Sequence, residues 1–225
     1  MPMHAEATGK RLKQATEVRQ AGLVEAALQL AAQRSPADIT TGDLAQAVGI
    51  SQGAVFRHFA SKEAIWLAVL DGASDTLMAR LQTAAGAAPT PMAALQAMFM
   101  AHVDFVVAHP GVPRLIFQEL QHAQDTALKA GVRSLMQKYR SLLMGVLQQA
   151  QDQRLLAPGT DLQAAAVLFI GSVQGLVMQS LLSGDVRAVT THARGVLTIY
   201  LRGLAAGRGR TAATDRHAPA LKETP

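Results

Sequence analysis

A group of polar and basic residues between positions 51 and 62 has the types and spacing expected of a nucleic-acid contact. Gln52 offers a donor–acceptor pair suited to adenine, and Ala54 could touch a thymine methyl group. Arg57, His58 and Lys62 follow, where basic side chains suit phosphates, which fix register without reading sequence. Taken alone, the pattern is equally compatible with a small surface helix pair carrying ordinary solvated charges.

Two short helices joined by a hinge are predicted to position these residues. Thr41 is the expected N-cap of the first helix, which ends at Gly49, where the backbone must turn left-handed. Ser51 is the expected cap of the second helix, predicted over Gln52–Phe59. This spacing is that of a helix-turn-helix, whose second helix lies in the DNA major groove. The candidate DNA-binding residues are Thr41, Ser51, Gln52, Gly53, Ala54, Phe56, Arg57, His58 and Lys62.

The segment Arg19–Lys62 resembles the N-terminal DNA-binding domain of the TetR family of bacterial transcriptional regulators. The matching runs are LVEAALQLAAQ, ITTGDLAQAVGIS and GAVFRHFASKEAI, in this order. The resemblance implies an all-α fold of about nine helices. A three-helix helix-turn-helix domain would be followed by a larger helical domain for ligand binding and dimerisation. It also implies a homodimer on a palindromic operator in double-stranded DNA, a small-molecule effector and, by the family's usual habit, repression.

The chain departs from the family pattern at three places. Phe56 stands where Tyr is usual, so a hydroxyl that commonly reaches a phosphate is missing. Ser35-Pro36 replaces the usual Gly after the first helix, and Ala31 replaces a common Phe. Pro36 can end the helix because it disfavours helical geometry at Ser35. None of these changes threatens the fold, although the missing hydroxyl at Phe56 should weaken DNA affinity somewhat.

Composition and charge agree with a helical DNA-binding protein. Of 225 residues 49% are hydrophobic and only 4% aromatic, and β-branched runs are scarce, which favours helices. No cysteine is present, which excludes disulfides, thiolate catalysis and cysteine-ligated zinc. The net charge of +5 divides into +2 for residues 1–62, zero for 63–201 and +3 for 202–225. Because the N-terminus lacks an apolar signal-peptide segment, we expect a cytoplasmic protein.

Four segments are predicted along the chain. Residues 1–15 would be a flexible arm with a basic cluster, residues 16–62 the DNA-binding domain, residues 63–204 the ligand-binding and dimerisation domain, and residues 205–225 a disordered tail. The basic cluster, Lys10, Arg11 and Lys13, is either a DNA-contacting arm or a solvated tail. A helix over Lys62–Ala85 would connect the two domains mechanically.

Five further helices are predicted in the larger domain. They are Pro91–Ala108, Pro113–Ala123, a helix capped by Asp125 and reaching Gln153, a helix capped by Thr160 and reaching Ser183, and a helix capped by Asp185 and reaching Gly203. The helix that reaches Ser183 is long enough to cross a membrane. Its glutamines favour instead a helix buried by its own domain on one side and by a second subunit on the other.

Large apolar side chains and a few polar groups on the helices of the larger domain are the candidate ligand pocket. Such a mixture is typical of small-molecule sites, although each residue taken singly could equally be plain core. The expected ligand is an apolar or aromatic molecule, with His102 or His122 as a hydrogen-bond partner. The candidate lining is Met98, Phe99, His102, Phe105, Phe117, Gln118, His122, Met136, Tyr139, Leu143, Phe169 and Ser172.

The last two helices are the candidate dimer interface, because obligate interfaces are large and apolar. The candidate contacts are Leu168, Val173, Leu176, Leu181, Val189, Val196 and Tyr200.

No catalytic residue, metal site or cofactor is predicted. The sequence has no recognisable nucleophile motif and no glycine-rich loop after a predicted strand. His102 and His109 could share a helix face, but two imidazoles without a third ligand are weak evidence for a metal. The alternatives that stay open are a helical regulator that acts mainly through a protein partner, and a small-molecule-binding protein with little DNA specificity.

Overall fold

The computed structural model describes the backbone of residues 3–205 and the side chains of residues 16–205. Across this range the chain forms nine α-helices, one turn of 3-10 helix at Pro36–Asp38, and no strand. The helices are α1 Met3–Gln33, α2 Thr41–Ala47, α3 Gln52–Val55, α4 Lys62–Gly86, α5 Pro91–Ala108, α6 Gly111–Leu120, α7 Ala127–Asp152, α8 Leu162–Ser183 and α9 Ala188–Leu204. The predicted all-α fold is confirmed.

The first four helices share a small core beneath the helix-turn-helix. It is built around Leu23, Ile39, Leu44, Val55 and Ile65, all of which are fully buried. Trp66 from α4 and Leu115 from α6 complete this core, so it is closed by residues from beyond position 62.

The larger core lies between α4, α5 and α7, with α8 and α9 packed on its far side. Four aromatic rings meet edge to face at its centre. Phe169 lies 5.4 Å from Phe99, 5.3 Å from Tyr200 and 6.4 Å from Tyr139 between ring centroids. Edge-to-face rings fill space densely, so this part of the domain is solid.

Helices α1 and α6 approach each other unusually closely. A Cβ on Gly111 would lie 2.6 Å from the Leu28 carbonyl oxygen and 3.0 Å from the Ala31 Cβ. Only glycine can occupy this position without displacing backbone. Ala31 is buried in the same contact, so its small size is required there by α6.

The structure corrects several predicted helix ends. Helix α3 has only one turn, and residues 56–58 continue it as turns instead of helix. Helix α6 begins at Gly111 and ends at Leu120, where Pro113–Ala123 had been predicted. Helix α1 begins at Met3 instead of near residue 16.

Four predicted N-caps are wrong by one or two residues. The observed caps are Thr40 for α2, Thr126 for α7, Asp161 for α8 and Arg187 for α9, in place of Thr41, Asp125, Thr160 and Asp185. Asp125 instead forms an ion pair with Arg133, and Asp185 accepts a hydrogen bond from the Arg187 N–H. The predicted cap Ser51 is confirmed, and Ser61 caps α4.

Two helices, α5 and α8, pass the length and hydropathy criteria for crossing a membrane. Within the most apolar stretch of each, 50% of α5 and 44% of α8 is buried inside the protein. Both therefore serve as core helices.

The predicted basic side chains of the N-terminal arm, and the predicted tail after Ala205, lie outside the described residues.

Candidate nucleic-acid interface and ligand cavity

Helix α2 is fixed at both ends by its own backbone and by nearby side chains. Thr40 and Asp43 form a capping box, in which each side chain accepts a hydrogen bond from the other's N–H. The Arg34 guanidinium lies 3.0 Å from the Asp43 carboxylate. Hydrogen bonds lower the pKa of Asp43 to about 2, and the largest contribution comes from the Thr40 backbone N–H, followed by the Thr40 hydroxyl and Arg34. The pattern T-x-x-D over residues 40–43 is that of a capping box, and it places the cap at Thr40 instead of Thr41.

The hinge after α2 is a Schellman turn. Gly49 has φ +68°, its N–H donates to the Gln46 carbonyl, and the Ile50 N–H donates to the Ala45 carbonyl. A residue with a side chain is strained at this φ, so the predicted role of Gly49 is confirmed. Ile50 packs against the small core and closes the corner.

The first turn of α3 presents its side chains to solvent. Ser51, Gln52 and Gly53 are exposed and Ala54 is half-buried, while Val55 faces inward with no exposed surface. The Ser51 hydroxyl accepts from the Ala54 N–H at 3.3 Å. The Gln52 side chain donates to the Thr41 hydroxyl at 2.8 Å, so Thr41 orients Gln52 instead of capping α2. The exposed surface of α3 is therefore polar, small and pre-positioned.

The residues after α3 form a second row on the same surface. Arg57 is exposed, and Phe56 is 51% exposed. The Gln20 side chain of α1 donates to the His58 carbonyl at 2.8 Å, which anchors this turn from a helix 38 residues away. No local sequence signal could have indicated that contact. Lys62 is half-buried, and its ammonium donates to the Ala37 carbonyl at 3.1 Å, so it braces the 3-10 turn as well as offering charge.

The larger domain contains a small apolar cavity of about 120 Å³ between α4, α5, α6, α7 and α8. Four predicted pocket residues line it: His102, Phe105, Phe117 and Met136. Eleven further residues complete the lining without having been predicted: Ala73, Leu77, Val106, Val112, Pro113, Ile116, Leu120, Leu135, Val173, Gln174 and Val177. All but Gln174 are small, apolar or proline residues, which a sequence does not distinguish from core.

The other predicted pocket residues lie elsewhere. Met98, Phe99, Tyr139, Leu143 and Phe169 are fully buried in the solid core. Gln118 of α6 and His122, two residues after its end, face the DNA-binding domain. Ser172 lies on the outer surface of α8. Sequence periodicity places residues on a helix face, but only packing decides whether that face meets a void.

The polar side chains that line this cavity are His102 and Gln174, and His102 is paired with Tyr139 of the solid core behind it. His102 Nδ1 and the Tyr139 hydroxyl are 3.1 Å apart. Burial lowers the pKa of His102 to about 4, and burial together with nearby Tyr200 raises the pKa of Tyr139 well above its ordinary value. Both side chains are therefore uncharged at neutral pH, which suits an apolar ligand with one hydrogen-bonding group.

His109 does not share a site with His102. Its Nδ1–H donates to the Phe105 carbonyl at 3.0 Å, and its ring stacks on Phe105 at 4.7 Å. Among the described residues no three metal-ligating side chains come together.

The outer faces of α8 and α9 carry an exposed apolar stripe. On α8 the spacing alternates between four and three residues: Ala164, Leu168, Gly171, Gly175, Met178 and Leu182. On α9 Ile199 is 74% exposed and Val196 is half-buried beside it. Of the predicted dimer contacts, Leu168, Leu181 and Val196 are wholly or partly accessible. Val173, Leu176, Val189 and Tyr200 are buried in the chain's own core, and the Tyr200 hydroxyl donates to the Ala165 carbonyl, so these four residues offer little surface to a second subunit.

Two family profiles match the chain. The profile for "Bacterial regulatory proteins, tetR family" matches residues 23–69, and that for "Tetracyclin repressor-like, C-terminal domain" matches residues 116–196. Together they cover more than half of the chain.

Two curated relatives match over most of their length. The nucleoid occlusion factor SlmA of Marinomonas sp. is 22% identical over 159 residues, 71% of this chain and 81% of that protein. The HTH-type transcriptional repressor KstR2 of Mycobacterium tuberculosis is 27% identical over 143 residues, 64% of this chain and 72% of that protein.

Solved structures share the fold. The ketosteroid transcriptional regulator KstR2 of Mycobacterium tuberculosis superposes with a TM-score of 0.71 at 24% identity, covering 84% of this chain and 96% of that one. The transcriptional regulator FadR of Bacillus subtilis, solved in complex with stearoyl-CoA, has a TM-score of 0.71 at 16% identity, covering 81% and 98%.

Proposed function

Since the chain belongs to the tetR family of bacterial regulatory proteins, and is thus a DNA-binding transcriptional regulator, we propose that it is a cytoplasmic, ligand-responsive repressor. In this proposal a homodimer binds a palindromic operator and is released by a small apolar or aromatic molecule. It has no catalytic role, in keeping with relatives named as regulators.

The observation that carries the proposal is the exposed first turn of α3. Gln52 stands at the start of the recognition helix, and its amide is held toward Thr41 instead of into the core. A glutamine so placed can form a bidentate contact with adenine, and Gly53 leaves room for close approach to the groove. The exposed Arg57 supplies a phosphate contact beside it.

A dimer is required because one short helix reads too few base pairs for specificity. The outer stripe of α8 and α9 is the surface we assign to it. Gly171 and Gly175 lie together in the middle of the stripe, between Leu168 on one side and Met178 and Leu182 on the other, so two copies of α8 could pack there with their backbones close together. Helices with apolar residues at alternating spacings of three and four are typical of helix–helix seams.

The effector is assigned to the cavity beside His102. Its volume of about 120 Å³ is smaller than the cavity of about 150 Å³ that holds benzene, so only a compact molecule fits without rearrangement. A larger effector would have to open the cavity by moving Met136 or Phe117, both of which are half-buried and at its edge. The expected class is therefore a compact apolar or aromatic compound with one hydrogen-bonding group.

The proposal is tested by a mobility-shift assay with the DNA upstream of the protein's own gene. A retarded band that disappears with competitor containing the same inverted repeat, but persists with a scrambled repeat, is the expected result. Binding that is equal for both competitors would contradict operator recognition. Transcription in vitro from that promoter should then fall as protein is added.

A second candidate function follows from the likeness to a nucleoid occlusion factor. In that case the DNA-bound dimer would act chiefly through a protein partner. Sequence-specific DNA binding without any change in transcription of the adjacent genes would favour this candidate.

A further inference from the structure

A second pocket, distinct from the cavity beside His102, lies between the DNA-binding domain and the larger domain. Its volume is about 370 Å³. One wall comes from Pro36, Ala37 and Lys62, next to the helix-turn-helix, and the other comes from α6 and the start of α7. We call it the interdomain pocket. Its complete lining is Pro36, Ala37, Lys62, Glu63, Trp66, Leu67, Leu115, Gln118, Glu119, His122, Thr126, Ala127 and Leu128.

The notable group in this pocket is the carboxylate of Glu119, which is only 6% exposed. One oxygen accepts a hydrogen bond from the Thr126 hydroxyl. The other forms no hydrogen bond within the described part of the chain, and the nearby His122 Nε2 is 3.9 Å away. Within the described residues Glu119 thus has one hydrogen bond and one histidine neighbour but no lysine or arginine partner, so a cation in the pocket would supply a counter-charge to a buried carboxylate.

The charged groups of the pocket also favour a cation. Its lining contains two carboxylates, Glu63 and Glu119, and one ammonium, Lys62, beside the imidazole of His122. The Lys62 ammonium is already engaged by the Ala37 carbonyl.

The remaining walls are apolar. Trp66, Leu115 and Leu128 belong to or pack against the small core and also face the pocket. An indole beside a carboxylate suits the organic part of an ammonium ligand, because aromatic faces attract cations.

We propose that the interdomain pocket binds a small organic cation, a protonated amine carried on an aromatic or short alkyl group, with Glu119 as its counter-charge. The site is separated from the cavity beside His102 by α6, whose Ile116 and Phe117 face that cavity while Leu115 and Glu119 face this pocket. A ligand here would contact both domains at once. The inference does not rest on the proposed function.

The chain provides its own reporter for the test. Trp66 is its only tryptophan and lines the pocket, so its fluorescence reports occupancy directly. The probe is benzylamine, with benzyl alcohol of the same size as the uncharged comparison. We expect saturable quenching or a spectral shift with benzylamine and at least roughly tenfold weaker binding of benzyl alcohol, as the loss of a charged hydrogen bond requires.

Two variants with the same change of charge identify the counter-charge. Glu119→Gln keeps an oxygen for Thr126 and should weaken benzylamine binding by roughly tenfold or more. Glu63→Gln removes a charge from the exposed rim and should change it by less than about threefold. Equal losses in the two variants, or equal binding of amine and alcohol, would overturn the assignment.

A third variant covers the case in which Glu119→Gln does not fold. Ala127 is exposed at the first position of α7 and lines the pocket, so Ala127→Phe should fill it without disturbing the core. Benzylamine binding should then be lost while the helical circular dichroism spectrum is unchanged. Binding that survives in Ala127→Phe would show that the amine lies elsewhere.

Discussion

At the level of single residues, the DNA-facing surface depends on side chains that are held by other side chains. Gln52 is oriented by Thr41, and the turn after α3 is held by Gln20 through the His58 carbonyl. Because these side chains are already ordered before DNA binds, less conformational entropy is lost on binding. A base reader and a phosphate contact should therefore respond differently to mutation.

Gln52→Ala should lower affinity for the preferred operator by about 1–3 kcal/mol and relax preference at one base position in each half-site. Arg57→Ala is the matched control, because a lost phosphate contact should weaken all operator variants alike and reduce the salt slope by about one. The measurement is binding to a set of operators with single base changes. If Gln52→Ala lowered affinity equally for all of them, Gln52 would not be the base reader.

His102 should make the protein's stability depend on pH. Its pKa is lowered from 6.5 to about 4, so the unfolded chain binds a proton between these values that the folded chain does not. The free energy of unfolding should therefore fall as pH drops from 6.5 towards 4, by up to about 1.4 kcal/mol per pH unit, and be insensitive to this residue above that window.

The check is urea unfolding of the native protein and His102→Gln at several pH values. Glutamine can still hydrogen-bond the Tyr139 hydroxyl but does not titrate. The variant should have the shallower pH dependence within the window. Parallel curves would show that His102 is not the group responsible.

At the level of helices, α6 connects the two cores. Its first residue, Gly111, lies against the backbone of α1, and Leu115 enters the small core. Gln118 then accepts hydrogen bonds from the Ser35 hydroxyl at 3.0 Å and the Ala37 N–H at 2.9 Å. A movement of α6 would therefore displace residues 35–37, which lead into α2.

Gly111→Ala should destabilise the protein by about 1–3 kcal/mol, because the new methyl group would meet the Leu28 carbonyl at 2.6 Å. Gly145→Ala in α7 is the control. No atom lies near its added methyl group, and alanine favours a helix by about 1 kcal/mol, so it should stabilise. Urea unfolding measures the free energy of unfolding of both variants. If Gly111→Ala left it unchanged, α1 and α6 could separate at little cost.

The proposed seam on α8 can be tested without weakening the subunit. A side chain at Gly175 meets no atom of its own chain, so Gly175→Leu should leave monomer stability unchanged or raised while preventing close approach of a second α8. Light scattering should show a monomer at low micromolar concentration. Gly145→Leu, equally free of contacts within the chain, should remain a dimer.

Leu176→Arg would be a poorer test of the same interface, although Leu176 is one of the contacts that the sequence suggests. Leu176 is 8% exposed and lies in the chain's own core, so an arginine there would unfold the subunit whether or not it dimerises. A dimeric Gly175→Leu protein would exclude the α8 stripe as the interface.

At the level of the whole molecule, the effector cavity, α6 and the helix-turn-helix form a continuous structure. Residues of α6 line the cavity on one side, and Gln118 holds the Ser35–Ala37 segment on the other. Helix α4 adds a second connection, since Lys62 at its start binds Ala37 and Leu77 further along it lines the cavity. An effector that displaces α6 or α4 would change how the recognition helices are presented.

Effector and operator should therefore weaken each other's binding by the same factor, about 5- to 150-fold. The measurement is calorimetric titration of an inducer, identified by thermal stabilisation of the protein, with and without operator DNA. Gln118→Ala, which removes the link from α6 to Ser35 and Ala37, should reduce that factor while leaving inducer affinity in the absence of DNA nearly unchanged. Equal inducer affinity with and without operator would exclude the switch.

Local sequence was sufficient for much of the fold and of the DNA-facing surface. The caps Ser51 and Ser61, the left-handed Gly49 and the full extent of α5 follow from short-range hydrogen bonding and backbone geometry, which are properties of a few consecutive residues. The exposure of Gln52 and Arg57 follows from the same helical pattern.

Tertiary structure alone decided which apolar residues fill space and which enclose it. Phe99 and Phe169 resemble pocket residues in the sequence, yet they interlock at 5.4 Å in solid core, while Val112 and Ile116 enclose the cavity. Leu176 and Leu168 are of one type on one helix, yet only Leu168 faces outward. The buried carboxylate of Glu119 depends likewise on where α6 meets α7 and the DNA-binding domain. Long-range packing determines these positions, and side chains of the same type give no local signal of it.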